Sequence, residues 1–168
     1  MRQSLLLSIC GYKHSGKTTL IEALLPVLQS EGLKTAVIKH HGHRFTPDAP
    51  GTDSRRFQQA GACGTAVYDG ETYQIVHRSR ASALELAKAF PEADIILLEG
   101  GKCLPVPHIV LVRDGAAPPP TSGPLLAYVS NQPAPGGAPT FAHSDIRGIS
   151  ALISRWIADH RESTEYSF

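Results

Sequence analysis

The sequence predicts a layered α/β fold with a mainly parallel central sheet and one local β-hairpin. Short, nearly continuous apolar runs alternate with segments of helical periodicity, the pattern of strands buried on both faces and their crossover helices. The first apolar run ends at a glycine that opens a loop leading straight into a helix. A length of 168 residues suits one domain able to bury its core without disulfides or a structural metal, so residues 1–168 are expected to form a single domain.

Ser4 to Cys10 reads as a strand buried on both faces and ending at Gly11. From Lys17 to Ser30, Leu20, Leu24, Leu25 and Leu28 recur at helical spacing, Gly32 is a C-terminal stop and Pro26 predicts a kink. Thr35 to Ile38 is a second strand, followed by a loop from His40 to Gly51. Thr52 or Asp53 then caps a short helix through Ala60. Gly64 to Tyr68 and Thr72 to Val76 flank Asp69-Gly70, a favoured two-residue hairpin turn. Ser82 and Glu85 form a capping box for a helix through Phe90. Asp94 to Leu98, His108 to Val112 and Leu125 to Val129 are further strands. An apolar stripe from Ile146 to Ile157 marks a last helix that docks on the core. The proline-rich stretches near Pro118 to Pro120 and Asn131 to Pro139 are loops.

Composition narrows the function. Sixteen Lys+Arg against fifteen Asp+Glu give a formal charge of +1, which offers no basic surplus for nucleic acid. Hydrophobic residues at 42% and charged residues at 18% are those of a globular chain. The three cysteines, Cys10, Cys63 and Cys103, include no Cys-x-x-Cys pair, so no disulfide framework is expected. The opening MRQSLLLSIC is too short an apolar stretch for a signal or a membrane span, and a cytoplasmic location without a membrane partner is expected.

Gly11-Tyr12-Lys13-His14-Ser15-Gly16-Lys17-Thr18 matches G-x-x-x-x-G-K-[ST] between a predicted strand and a predicted helix. Glycines let backbone N–H groups turn inward on a β-phosphate, and the helix N-terminus adds its positive end. Lys17 supplies a point charge for phosphate oxygens, and the Thr18 hydroxyl is placed to ligate Mg²⁺. Gly11, Tyr12, His14, Ser15, Gly16, Lys17, Thr18 and Thr19 are therefore the expected nucleotide contacts. Glu99, delivered by an apolar strand to the sheet edge where such folds bind ligands, is the second expected Mg²⁺ residue.

Lys39, His40, His41 and His43 follow the second strand directly. Imidazoles suit zinc or nickel, yet they equally hydrogen-bond phosphate or an anionic substrate, and both readings stand at this point. In the second reading Lys39, His40 and His43 contact the bound ligand.

The segments GYKHSGKTTL, VIKHHGH, PGTDS, LLEGGK and IVLVRDG, in this order over about residues 4–115, resemble the MobB family of accessory GTP-binding proteins of molybdopterin-guanine dinucleotide biosynthesis. Thr52 stands where the family usually has a lysine, Gly101 where it often has a phenylalanine, and Gly42 where another histidine is common. Residues 118–168 carry no matching motif, and no Asn-Lys-x-Asp guanine reader occurs in the chain. The resemblance implies a three-layer P-loop NTPase fold, GTP with Mg²⁺ as ligand, weak GTPase activity and a homodimer. It also implies an adaptor role toward the molybdopterin guanylyltransferase and other molybdenum cofactor proteins. In that reading Lys17, Thr18 and Glu99 hold Mg-GTP while Asp53 or a loop histidine positions the attacking water, so Lys17, Asp53 and Glu99 form the catalytic set. The competing readings are a nickel-type metallochaperone GTPase, motivated by the histidines, and an ATP-dependent small-molecule kinase or synthetase.

Overall fold

The computed structural model describes residues 4–42, 45–133 and 135–161. The chain divides into two compact units, Met1–His40 with Ser82–Phe168, and His41–Ala81.

In the first unit the strands are β1 (Leu5–Gly11), β2 (Thr35–Lys39), β5 (Ile95–Glu99), β6 (His108–Leu111), β7 (Leu125–Val129) and β8 (Thr140–Phe141). They form one sheet in the order β2-β5-β1-β6-β7-β8, every neighbouring pair parallel. Alternation along β1 sends Leu5, Leu7 and Ile9 to one face. There they pack with Leu20, Ile21, Leu24 and Leu28 of α1 (Lys17–Ser30) and with Ile149, Ile153, Trp156 and Ile157 of α4 (Ile146–His160). Leu6 of β1, with Ile96 and Leu98 of β5, meets Ala87 of α3 (Ala83–Ala87) and Val106 on the other face. Helices on both faces explain why β1, β5 and β6 read as unbroken apolar runs. The expected three-layer architecture with a mainly parallel sheet is thus what the chain forms.

Local chemistry sets the ends of the helices. The α3 capping box forms as expected, Glu85 N–H donating to Ser82 Oγ and Ser82 N–H to Glu85 Oε2, but the α-helix stops at Ala87, short of Phe90. Its last turn tightens into Ala89 N–H to Leu86 O and Phe90 N–H to Ala87 O bonds, because Phe90 precedes Pro91 and a residue before proline avoids helical dihedrals. Helix α1 continues through Pro26 to Ser30. Asp145 caps α4 by accepting the Gly148 N–H at 2.9 Å, and Ser150 and Ser154 of α4 both donate to the Glu31 carboxylate at the end of α1.

The second unit pairs β3 (Gly64–Tyr68) and β4 (Tyr73–His77) as the expected antiparallel hairpin beside α2 (Asp53–Gln59). Its turn lies one residue later than the Asp69-Gly70 reading. The Asp69 carboxylate accepts the N–H groups of Glu71 and Thr72 while Asp69 N–H donates to Thr72 O, which leaves Gly70-Glu71 at the tip. Those two N–H donors hold the Asp69 carboxyl below its usual range.

Candidate functional site

In a parallel sheet all strands end at the same edge, and the register decides which ends meet. Lys39 is level with Glu99, and Glu99 with Ile9, two residues before Gly11. The ends of β2, β5 and β1 therefore converge on the loop 11–18.

That loop has the expected form. A Cβ at Gly11 would lie 2.5 Å from Ser15 Oγ and 2.7 Å from Leu111 O, so only glycine fits the close approach of loop and sheet. Gly16 (φ 89°) and His14 (φ 61°) take left-handed conformations that curl the backbone, and the curl delivers the chain into α1 at Lys17. Gly16 provides no side-chain cap, and the first turn of α1 holds no acidic residue. The leading N–H groups and the positive end of the helix are thus left for an anion.

Charge is arranged around it. The Lys17 ammonium donates to the loop's own carbonyls, Tyr12 O at 2.8 Å and Gly11 O at 3.2 Å. Glu99 accepts from Thr18 Oγ1 at 3.0 Å through one oxygen and pairs with Lys39 Nζ at 3.1 Å through the other. The Glu99 side chain is only 12% exposed, against 52% for Lys39. Ser15 Oγ is buried without a partner among the described residues, an expensive state for a hydroxyl unless a ligand satisfies it. These groups fit a phosphate chain: cations, a hydroxyl without a partner and free N–H donors surround one loop. The oxygens of Thr18 and Glu99 also suit Mg²⁺, since neighbouring ligands of an octahedral ion at about 2.1 Å sit about 3 Å apart.

The remaining predicted residues are distributed as follows. Tyr12, His14 and Thr19 are exposed on or just after the loop. His40 N–H donates to Glu99 O at 3.1 Å, which fixes its backbone beside the acid. His43 lies outside the described residues. Asp53 belongs to the second unit, where it opens α2 and is ion-paired with Arg56 at 3.2 Å. Among the described residues no group of three or more His, Cys, Asp or Glu side chains could hold a metal ion. The Lys39–Glu99 ion pair was not foreseen; its only signal in the sequence is that both residues end apolar strands.

Directly before Gly11, Cys10 is buried with its Sγ 3.8 Å from His108 Nδ1, and His108 Nε2 lies 3.1 Å from Leu104 O. Burial raises the Cys10 thiol to about 11 and lowers the His108 imidazole below its ordinary value. A neutral thiol donates to Nδ1 of a neutral ring, while Nε2 faces both Leu104 O at 3.1 Å and the Gly123 N–H at 3.3 Å.

A glycine-rich loop between β1 and α1, its lysine and hydroxyl, and an acid at the end of the adjacent parallel strand define a P-loop protein of the NTPase fold class. The family pattern described as "Molybdopterin guanine dinucleotide synthesis protein B" matches residues 6–131. The chain is 33% identical over 158 residues to the molybdopterin-guanine dinucleotide biosynthesis adapter protein of Haemophilus influenzae, covering 90% of this chain and 89% of the relative. Identity to the adapter protein of Escherichia coli is 29% over 166 residues, with 90% and 93% covered. The crystal structure of Bacillus subtilis MobB superposes with a TM-score of 0.74 at 27% identity, covering 90% of this chain and 97% of that one. The chain belongs to the MobB family.

Proposed function

We propose that this protein is an adapter of molybdopterin-guanine dinucleotide biosynthesis that binds Mg-GTP on the loop 11–18 and hydrolyses it weakly. The observation that carries the reading is the junction of Lys17, Thr18, Glu99 and Lys39 at the ends of three neighbouring parallel strands. In it, Gly11, Tyr12, His14, Ser15, Gly16 and Thr19 line the phosphates, Lys17 neutralises them, and Thr18 and Glu99 hold Mg²⁺. The metal would draw charge from the phosphate oxygens. Lys39, His40 and His43 contact phosphate or substrate, and Asp53 or a loop histidine orients the water.

The same reading carries the cytoplasmic location expected from the sequence, and the homodimeric state and molybdopterin guanylyltransferase partner implied by the family resemblance. Among the described residues no helix is long and apolar enough to cross a membrane. An isologous contact built on the β3-β4 hairpin would cover Val67, Tyr68, Tyr73 and Ile75, which are exposed.

The test is calorimetric titration with GTP and ATP in Mg²⁺ buffer, on the native protein and on Lys17→Ala. GTP binds in preference to ATP, and the variant loses about 10- to 150-fold in affinity, the equivalent of a charged hydrogen bond worth about 1.5–3 kcal/mol. Strict adenine preference would favour the kinase reading instead, and undiminished binding by the variant would remove the phosphate role of Lys17.

A further inference from the structure

The segment Arg113-Asp114-Gly115, part of the motif that follows β6, has no task in the proposed function. Its placement is specific. Gly11 pairs with Leu111, Leu111 with Val129, and Val129 with Phe141, so the ends of β1, β6, β7 and β8 form one row. At about 4.8 Å per strand, the chain leaving β6 starts one strand from the first glycine of the phosphate loop. It starts on the opposite flank from Glu99 and Lys39, which lie toward β5 and β2. If the acid and its cation mark the end of the ligand that carries the outer phosphates, the nucleoside extends toward β6 and β7.

On that flank one polar group is presented by a defined turn. Ala116 N–H donates to Arg113 O at 3.0 Å and Gly115 has φ 73°, which makes residues 113–116 a turn of type II form with Asp114 at its first corner. Asp114 is exposed, and its carboxylate makes no hydrogen bond or ion pair among the described residues. A carboxylate accepts and cannot donate. Guanine offers two adjacent donors, N1–H and the 2-amino group, which one carboxylate accepts together. Adenine lacks the 2-amino group and carries an acceptor at N1, which a carboxylate repels.

We propose that Asp114 reads the guanine base, accepting hydrogen bonds from N1–H and the 2-amino group. This rests on the Mg-GTP reading above. It would give the chain a guanine reader although it has no Asn-Lys-x-Asp motif.

The test is Asp114→Asn, an isosteric change at an exposed position, titrated with GTP, ATP and xanthosine triphosphate, whose C2 carbonyl replaces the 2-amino group. An amide nitrogen donates to that carbonyl, so the variant loses about 10- to 100-fold in GTP affinity and gains a comparable factor for the xanthine nucleotide, the range of a two-point base contact. ATP binding stays equal or tightens, because the carboxylate that repels adenine N1 is gone. GTP preference retained in the variant, or a GTP loss with no xanthine gain, overturns the assignment of Asp114 alone. A native protein indifferent to the base overturns this assignment together with the GTP reading.

Discussion

Replacing Glu99 by Gln separates a metal-binding role from a structural one. The substitution keeps the shape of the side chain and removes one negative charge. The Thr18 hydroxyl at 3.0 Å still finds a carbonyl oxygen to donate to, whereas the Lys39 ammonium at 3.1 Å loses its counter-ion. Lys39 is 52% exposed, so water takes over much of that contact and the ion pair is worth about 0–1 kcal/mol. For a chain of this size that lowers the melting temperature by about 4 °C at most. The fold therefore persists. A carboxylate that holds Mg²⁺ directly or through a water contributes the equivalent of a charged hydrogen bond, about 1.5–3 kcal/mol, and its loss weakens Mg²⁺-dependent GTP affinity by about 10- to 150-fold. Without Mg²⁺ the sign changes, because removing a negative charge from beside the phosphates leaves binding equal or tighter. Titration of labelled GTP in Mg²⁺ and in EDTA, on native and variant protein, reads both quantities. Equal losses in the two buffers would refute the metal role and leave Glu99 as a structural partner of Thr18 and Lys39.

Two further outcomes concern the buried pair beneath the loop. Since burial depresses the His108 pKa in the folded state, the unfolded chain takes up the proton first as pH falls below about 6.5. Stability from this group is full above that pH and declines below it toward the folded pKa. The melting temperature of His108→Gln therefore falls less steeply than that of the native protein between pH 6.5 and 5, as scanning calorimetry measures, and identical slopes would contradict the burial argument. With its thiol raised to about 11, Cys10 stays protonated at neutral pH, while Cys63 and Cys103 are exposed. Iodoacetamide labels those two in the native protein and all three only in denaturant, which mass spectrometry resolves; native labelling of Cys10 would contradict its placement.

The parts of this fold that were legible in the sequence are those whose cause is local. The phosphate loop is one contiguous stretch, its glycines needed where the backbone turns and its lysine and threonine needed where the charge sits. The β1, β5 and β6 runs could be read because burial on both faces leaves no room for polar alternation. The capping box of α3 needs only Ser82 and Glu85, and it formed. Where a second local interaction competes, reading failed: the Asp69 carboxylate captures two N–H groups and moves the hairpin tip by a residue. The edge strand β8 has two residues, Thr140 and Phe141, too few to show a period.

The site follows a different logic, because its groups come from segments far apart in the chain. Lys17 is given by the loop motif, but Lys39 and Glu99 each appear in the sequence only as a polar residue at the end of an apolar strand. What joins them is the strand order, and no residue pattern states that β5 sits between β2 and β1. Once that order exists, parallel direction forces all three strands to end at one edge, and the level pairing of Lys39 with Glu99 brings the cation to the acid. The same constraint acts on the other flank, where Gly11 is level with Leu111 and the chain turns at Asp114 three residues later. An acid toward β5 and an acid toward β6 therefore have opposite surroundings: Glu99 is engaged on both oxygens, while the Asp114 carboxylate has no bonding partner among the described residues. That asymmetry is what the proposed Mg-GTP reading requires: a carboxylate for the metal at one end and a carboxylate free to accept from guanine at the other.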